Sequence, residues 1–465
     1  MTGKSFHSTT SGADVDGIKV GIAVLVGTGV MGEYFLGFWV AVGSGADDLL
    51  SKSSAAGVCV GPLTGIMADS AVASPVQAVI KTQTMKVRIN RRFIKAKYSR
   101  GKLISDEILC YTRRMAYQGL LHKYGTLLDL PLYTRRVSLL EGNTPLIKAD
   151  NLARQLGGGF ELFIKYEGLN PTGSFKDRGM TAAVSEALGR GVTTVICAST
   201  GNTAASAAAY AARAGMKSIV LIPQGKVAAG KLAGAMAYGA QVIQIDGSFD
   251  DALTMVIEIT NKHPICLVNS INPYRIEGQK TSAFEICDVL DSSPDWLCLP
   301  VGNAGNITSY WAGFKQYNQM KSTGLPQVLG VQAAGAAPLV LGHPIENPET
   351  VATAIRIGKP ARGEQALQAA EESKGRIIAA SDDQILDMQK TLAKLEGIWV
   401  EPASAAGLAG LAIEIANGTL NPKGKRVVAI CTGHGLKDPE IITKDMQKPS
   451  IVPPRLEALE EIIMR

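Results

Sequence analysis

From about Leu139 onward, two periodicities alternate along the chain. Short apolar runs rich in β-branched residues fall at 161–166, 193–198, 218–222, 241–245 and 265–269. Between them lie longer stretches with helical spacing of apolar positions, around 176–189, 203–214, 227–238 and 249–262. Further strand-like runs occupy 296–300, 327–332 and 426–431. Strands alternating with helices through short Gly-containing loops predict an α/β protein whose parallel sheets are covered on both faces. In such sheets ligands bind at the carboxyl ends of the strands.

The first 114 residues do not share this pattern. Residues 18–43 are mostly apolar, with Lys19 and Glu33 their only charges, and contain Gly27-Thr28-Gly29-Val30-Met31-Gly32. That is a GxGxxG match. A dinucleotide-binding half also needs a following helix, a second strand and an acidic ribose ligand about 20 residues on. The residues after the match are Gly-, Ser- and Ala-rich with no clear strand, and Asp47 and Asp48 end none. As a membrane span the stretch is weakened by its glycines and by Glu33. A polar start with Asp14 and Asp16 argues against a secretory signal or an Arg-rich transit peptide. The expectation is an N-terminal extension, 1–114, of uncertain structure: disordered, or upstream of a natural start at Met115.

Length sharpens the domain picture. A chain of 465 residues exceeds one compact core, so two domains plus the extension are expected. Charge then removes one class of partner. The net charge is +6, but residues 81–114 hold 11 Lys+Arg against 2 Asp+Glu, while 115–465 are balanced at 33 against 33. The main body therefore has no nucleic-acid footprint. Seven cysteines form no CxxC pair, which suits a reducing, cytoplasmic compartment. The 5 histidines show no HExxH-like arrangement, so no catalytic metal is expected.

Four segments carry candidate chemistry. The first is Asn170-Pro171-Thr172-Gly173-Ser174-Phe175-Lys176-Asp177-Arg178-Gly179. A lysine at a helix start beside a Gly-Ser turn suits covalent capture of an aldehyde cofactor, because a neutral amine forms a Schiff base with a carbonyl. The second is Ser199-Thr200-Gly201-Asn202-Thr203, following a strand and opening an Ala-rich helix. Free N–H groups at a helix start hold carboxylate or phosphate, and Asn202 can donate to a phenolate-type oxygen. Ser, Thr and Asn before a helix are also ordinary caps. The third is Gly302-Asn303-Ala304-Gly305-Asn306, whose glycines let backbone N–H groups converge on a phosphate. The fourth is Cys431-Thr432-Gly433-His434-Gly435, where the Thr432 hydroxyl can meet a pyridine nitrogen without forcing its protonation.

Together with EGNTPL at 141–146, NSINPYRIEGQKT at 269–281, TAIRIG at 353–358, EPASAAG at 401–407 and TGHGLKDP at 432–439, these segments make residues 115–448 resemble the threonine synthase family. That family consists of fold-type II pyridoxal-phosphate enzymes related to the tryptophan synthase β group. The resemblance implies two parallel-sheet, three-layer domains with a cofactor cleft between them. The smaller covers about 180–272, the larger about 115–179 plus 273–450, and 451–465 form a tail. It implies Lys176 as Schiff-base lysine, Asn202 on the cofactor's ring oxygen, Gly302, Asn303, Ala304, Gly305 and Asn306 around its phosphate, and Thr432 at its pyridine nitrogen. It further implies Ser199, Thr200 and Thr203 for the substrate carboxylate. Asn269, Ser270 and Arg275 would take the substrate phosphate, with Asn303 or Asn306 assisting. The implied reaction converts O-phospho-L-homoserine and water to L-threonine and phosphate in a homodimer. The alternative is another lyase of the same fold type, such as a serine/threonine dehydratase. Asparagines interrupting the 302–306 loop, and Gly-Ser-Phe before Lys176, favour the synthase.

Overall fold

The computed structural model describes residues 7–15, 18–28, 34–43, 117–225, 229–439, 441 and 450–464. The chain forms two compact units, Met1–Ser99 and Arg100–Arg465. In the first, β1 (His7–Val15), β2 (Ile18–Thr28) and β3 (Tyr34–Gly43) form an antiparallel sheet in that order. The register brings Val15 opposite Ile18 and Thr28 opposite Tyr34. This corrects the sequence reading, which found no clear strand after the GxGxxG match. A dinucleotide half runs from its strand into a helix and returns parallel. Here β2 pairs antiparallel on both sides, and the short connection 29–33 lies outside the described residues. The basic segment 81–114, Asp47 and Asp48 also lie outside them. Among the described residues no helix is long and apolar enough to cross a membrane.

The second unit holds two sheets. The larger orders its strands β12-β11-β10-β13-β5-β4: Arg376–Ala380, Gln327–Ala333, Trp296–Pro300, Arg426–Cys431, Glu161–Tyr166 and Leu146–Lys148. All neighbours are parallel except β4 with β5. The smaller orders β8-β7-β6-β9, Gln241–Ile245, Lys217–Pro223, Thr194–Ala198 and Cys266–Leu267, all parallel. Strands of this kind show no polar alternation because both faces are covered. Trp296 and Cys298 of β10 enter one core and Leu297 and Leu299 the other. In β6, Val195 and Cys197 face one core and Ile196 and Ala198 another. The strands that the pattern did not reveal, β4 and β12, are the edges of the larger sheet and are mostly half-buried. The run expected at 265–269 shortens to the two residues of β9, because the Asn269 side chain binds across to Ala198 instead of continuing a ladder.

The helices that matter for the site are α1 (Lys176–Gly189), α2 (Asn202–Ala214), α3 (Ala229–Ala237), α4 (Phe249–Lys262), α5 (Pro273–Leu290), α6 (Gly305–Lys321), α7 (Gly363–Glu372) and α8 (Pro402–Ala416). Helices α1 and α5 cross backbone to backbone. A Cβ at Gly278 would overlap Arg178 O, and one at Gly179 would lie 2.9 Å from Arg275 O. Glycine is required at both positions by this approach. A buried ion cluster locks the same crossing. Arg178 donates to Glu167 through Nε at 2.6 Å and Nη2 at 2.8 Å, and to Glu285 through Nη1 at 3.0 Å and Nη2 at 2.7 Å. Lys165 Nζ donates to Glu285 at 2.7 Å. The cluster therefore ties α1 to β5, to the turn after it and to α5, which sets where Lys176 stands.

Candidate active site

Three contacts between distant parts of the chain assemble the site at the carboxyl ends of β6, β10 and β13. Ser174 bridges Gly433, with Phe175 N donating to Thr432 O at 2.9 Å and His434 N to Gly173 O at 2.9 Å. Asn202 Nδ2 donates to both Glu401 oxygens, at 3.2 and 3.0 Å. Asn303 Nδ2 donates to Ser270 Oγ at 2.6 Å. The segments holding Lys176, Asn202, Thr432 and the 302–306 loop are thus brought together.

Lys176 opens α1 and its amine rests 4.5 Å from the Phe175 ring centre. Among the described residues it has no hydrogen bond and no ion pair. Loss of hydration, then the positive Arg275 guanidinium, push its pKa down to about 7, and the Glu401 carboxylate opposes them. A lysine near neutrality is a nucleophile and a base at physiological pH. Its neighbour Arg178 is neutralised by Glu167 and Glu285. Glu401 is itself buried, and burial raises its pKa above the usual carboxylate range, with the Asn202 bond acting against the rise.

The anion-suited loops are open. Helix α6 starts from Ala304, held at φ 62° with no side-chain cap, and Gly302 approaches Ile355 so closely that a Cβ would lie 2.9 Å from its Cα. Buried Asn306 Nδ2 has no partner. Helix α2 starts from Gly201, also without a side-chain cap. The capping that Ser199 and Thr200 could supply is absent, and Ser199 Oγ instead accepts from Gly201 N at 3.4 Å. Thr203 is buried in the first turn of α2. Uncapped first-turn N–H groups need an anion or water. Thr432 Oγ1 lies 2.9 Å from Ser404 Oγ and 3.4 Å from Glu401 Oε1.

Arg275 is 1% exposed; Nη1 donates to Val268 O at 3.2 Å, and Nε has no partner. Burial lowers its pKa to about 10. Ser270 lies two residues beyond Val268 and is held by Asn303. Asn269 is buried: Oδ1 accepts from Ala198 N at 3.0 Å and Nδ2 donates to Ala198 O at 2.9 Å. It braces the end of β6, from which the 199–203 loop departs. The sequence reading missed two residues. Glu401 opens the EPASAAG motif, and a carboxylate inside Ile398-Trp399-Val400-Glu401-Pro402 is a signal that could have been used. Arg362, whose Nε donates to Ser270 O at 3.4 Å, gave no local signal.

An amine without a partner, a glycine-bearing loop opening an uncapped helix, and hydroxyls beside a carboxylate fit an aldehyde cofactor with a phosphate. A separate cavity of 890 Å³ is lined by Glu161, Trp296, Gln327 and Arg426 among others. These residues begin their strands, so that cavity lies at the amino ends of the larger sheet. The chemistry lies at the carboxyl ends, as parallel sheets dictate. No group of His, Cys, Asp and Glu among the described residues is arranged to hold a metal.

Comparison with known proteins agrees with this geometry. A family described as pyridoxal-phosphate dependent enzyme matches residues 137–433. A threonine synthase of Bacillus sp. (strain ULM1) is 57% identical over 331 residues, covering 71% of this chain and 93% of that relative. One of Methanocaldococcus jannaschii is 52% identical over 340 residues, covering 70% and 83%. Maize serine racemase superposes with TM-score 0.56 at 23% identity, covering 66% of this chain and 93% of its own, which shows the fold-type II architecture. The chain therefore belongs to the pyridoxal-phosphate dependent enzymes and, within them, to the threonine synthase family.

Proposed function

We propose that this chain converts O-phospho-L-homoserine and water to L-threonine and phosphate, and that Arg275 carries the distinction from its relatives. A buried guanidinium without a carboxylate beside a near-neutral lysine supports a second anion pocket, separate from the 302–306 loop. A dehydratase substrate has no phosphate and would leave that charge uncompensated, at a cost of several kcal/mol.

Each residue then has a task. Lys176 Nζ holds the cofactor's aldehyde; once released, it takes the Cα proton and later returns it. Pyridoxal phosphate supplies the electron sink for the charge that develops at Cα. Gly302, Asn303, Ala304, Gly305 and Asn306 offer the open end of α6 to the cofactor phosphate. Asn202 would donate to the cofactor's ring oxygen, and Thr432, braced by Ser404, would meet its ring nitrogen. Ser199, Thr200, Thr203 and the open start of α2 bind the substrate carboxylate. Arg275 and Ser270 hold the substrate phosphate and stabilise its departure from Cγ as a Cβ proton leaves; a proton then enters at Cγ and water adds at Cβ. Asn269 keeps the 199–203 loop in place. The reading includes two lobes, about 180–272 and about 115–179 plus 273–450, each built on one of the two sheets, and a cytoplasmic homodimer.

Supplying the purified protein with O-phospho-L-homoserine is expected to release threonine and phosphate in equal amounts. Lys176→Ala is expected to lose about 10³-fold or more in turnover, together with the visible cofactor band. Near-normal turnover in that variant refutes the role of Lys176. Ammonia and a 2-oxo acid from serine or threonine, without phosphate release, would instead favour the dehydratase.

A further inference from the structure

Arg275 and Arg362 differ from Arg178, which like Arg275 is buried. Arg178 is held by two carboxylates. Arg275 has none: its only described hydrogen bond goes to the Val268 carbonyl, and Nε is buried without an acceptor. Arg362 has none either: half-buried at the start of α7, it makes one described hydrogen bond, to Ser270 O. Burial lowers the pKa of both, and the Arg362 charge lowers that of Arg275 further.

Shared contacts fix this neighbourhood. Ser270 gives its carbonyl to Arg362 and its hydroxyl to Asn303. Asn303 Oδ1 accepts from Ala361 N at 2.6 Å, one residue before Arg362. The start of α7 is thereby fastened to the Ser270–Asn303 pair, and Arg275 approaches from α5. Two like charges drawn together in a partly dry cleft, with no counter-charge from the protein, are costly. An anion with two negative charges offsets both. A phosphomonoester is such a group above about pH 6, and planar guanidinium forks match its oxygens.

We propose that Arg362 is a second phosphate-binding residue, which with Arg275 makes the cleft selective for a dianionic phosphomonoester over singly charged leaving groups. The inference rests on the reading of the site as one that releases phosphate. It is tested with inorganic phosphate, so that the two can fail separately.

The experiment titrates orthophosphate into the cofactor-loaded full chain by calorimetry at about pH 8, where the ion is mostly dianionic. The cofactor then occupies its own loop, and the titration reads the second pocket. Arg362→Ala is expected to weaken binding about 10-fold or more. Arg362→Lys is expected to lie between it and wild type, because a lysine restores the charge but not the fork. Arg275→Ala serves as the positive control, expected to weaken binding at least as much. Cofactor absorbance and thermal midpoint are expected to stay those of wild type in both Arg362 variants. Orthophosphate affinity unchanged in Arg362→Ala, or absent in wild type, overturns the proposal. So does a loss of affinity that comes with loss of the cofactor band, since Arg362 would then act through the fold. Arg362-dependent phosphate binding without threonine formation from O-phospho-L-homoserine would sustain this inference and defeat the proposed reaction.

Discussion

Replacing Glu285 by Gln tests whether the buried ion cluster places Lys176. Lys165, Arg178, Glu167 and Glu285 are all buried and sum to zero charge. The substitution keeps the shape and removes one negative charge, leaving Arg178 and Lys165 with Glu167 alone. Breaking a buried pair from one side costs about 3–5 kcal/mol. That is a large part of the roughly 5–15 kcal/mol by which a domain is stable. Urea unfolding at pH 7 is expected to show a lower midpoint with unchanged slope. A second variant, Lys165→Met with Glu285→Gln, restores charge balance and is expected to recover a good part of the loss, giving a coupling energy above about 1 kcal/mol. The pH dependence carries a sign. Arg178 and Lys165 hold the Glu285 carboxyl well below the usual carboxylate range, and Glu167 is likewise lowered. A depressed carboxyl contributes stability that is present above its unfolded pKa, about 4.3, and is lost as pH falls toward the folded value. Wild type is therefore expected to weaken steadily below about pH 4.3, and Glu285→Gln to weaken less steeply there. A variant within about 1 kcal/mol of wild type at pH 7, with the same acid slope, would refute the reasoning.

Three further outcomes are expected. Gly278→Ala drives a Cβ into Arg178 O, so it is expected to cost about 3 kcal/mol or more and to lower turnover, measured by urea midpoint and threonine formation. Capture of added pyridoxal phosphate by the cofactor-free protein requires the neutral amine, so its rate is expected to rise with pH through about 7, followed by absorbance. Glu401→Gln removes the one charge that favours protonated Lys176, and the rise is expected to move to lower pH. A rise centred near the ordinary lysine value would refute the burial argument.

The readable parts of the fold are those buried on both sides of a sheet. Strands β5, β10 and β13 begin and end where the apolar runs do, because a strand covered on both faces leaves a nearly unbroken apolar run. Edge strands β4 and β12 had no such signal, being half-exposed. The N-terminal sheet was missed because its strands are Gly-rich and their antiparallel pairing depends on a register that single segments do not carry.

The same division holds for the site. Sequence alone pointed to the candidate residues: the lysine at a helix start, the loop at 302–306 and the threonine after β13, each legible because its neighbours in sequence make the local turn. Only the tertiary structure decided what those groups are. Lys176 is near neutral because a dry setting and then Arg275, from another helix, act on it, although its own neighbours are Asp177 and Arg178. Asn202 reaches Glu401 across 199 residues, and Arg362 reaches Ser270 across 92. Charge and hydration act through space, so a group's protonation and its missing partner appear only when the chain has brought distant residues into one low-dielectric cleft.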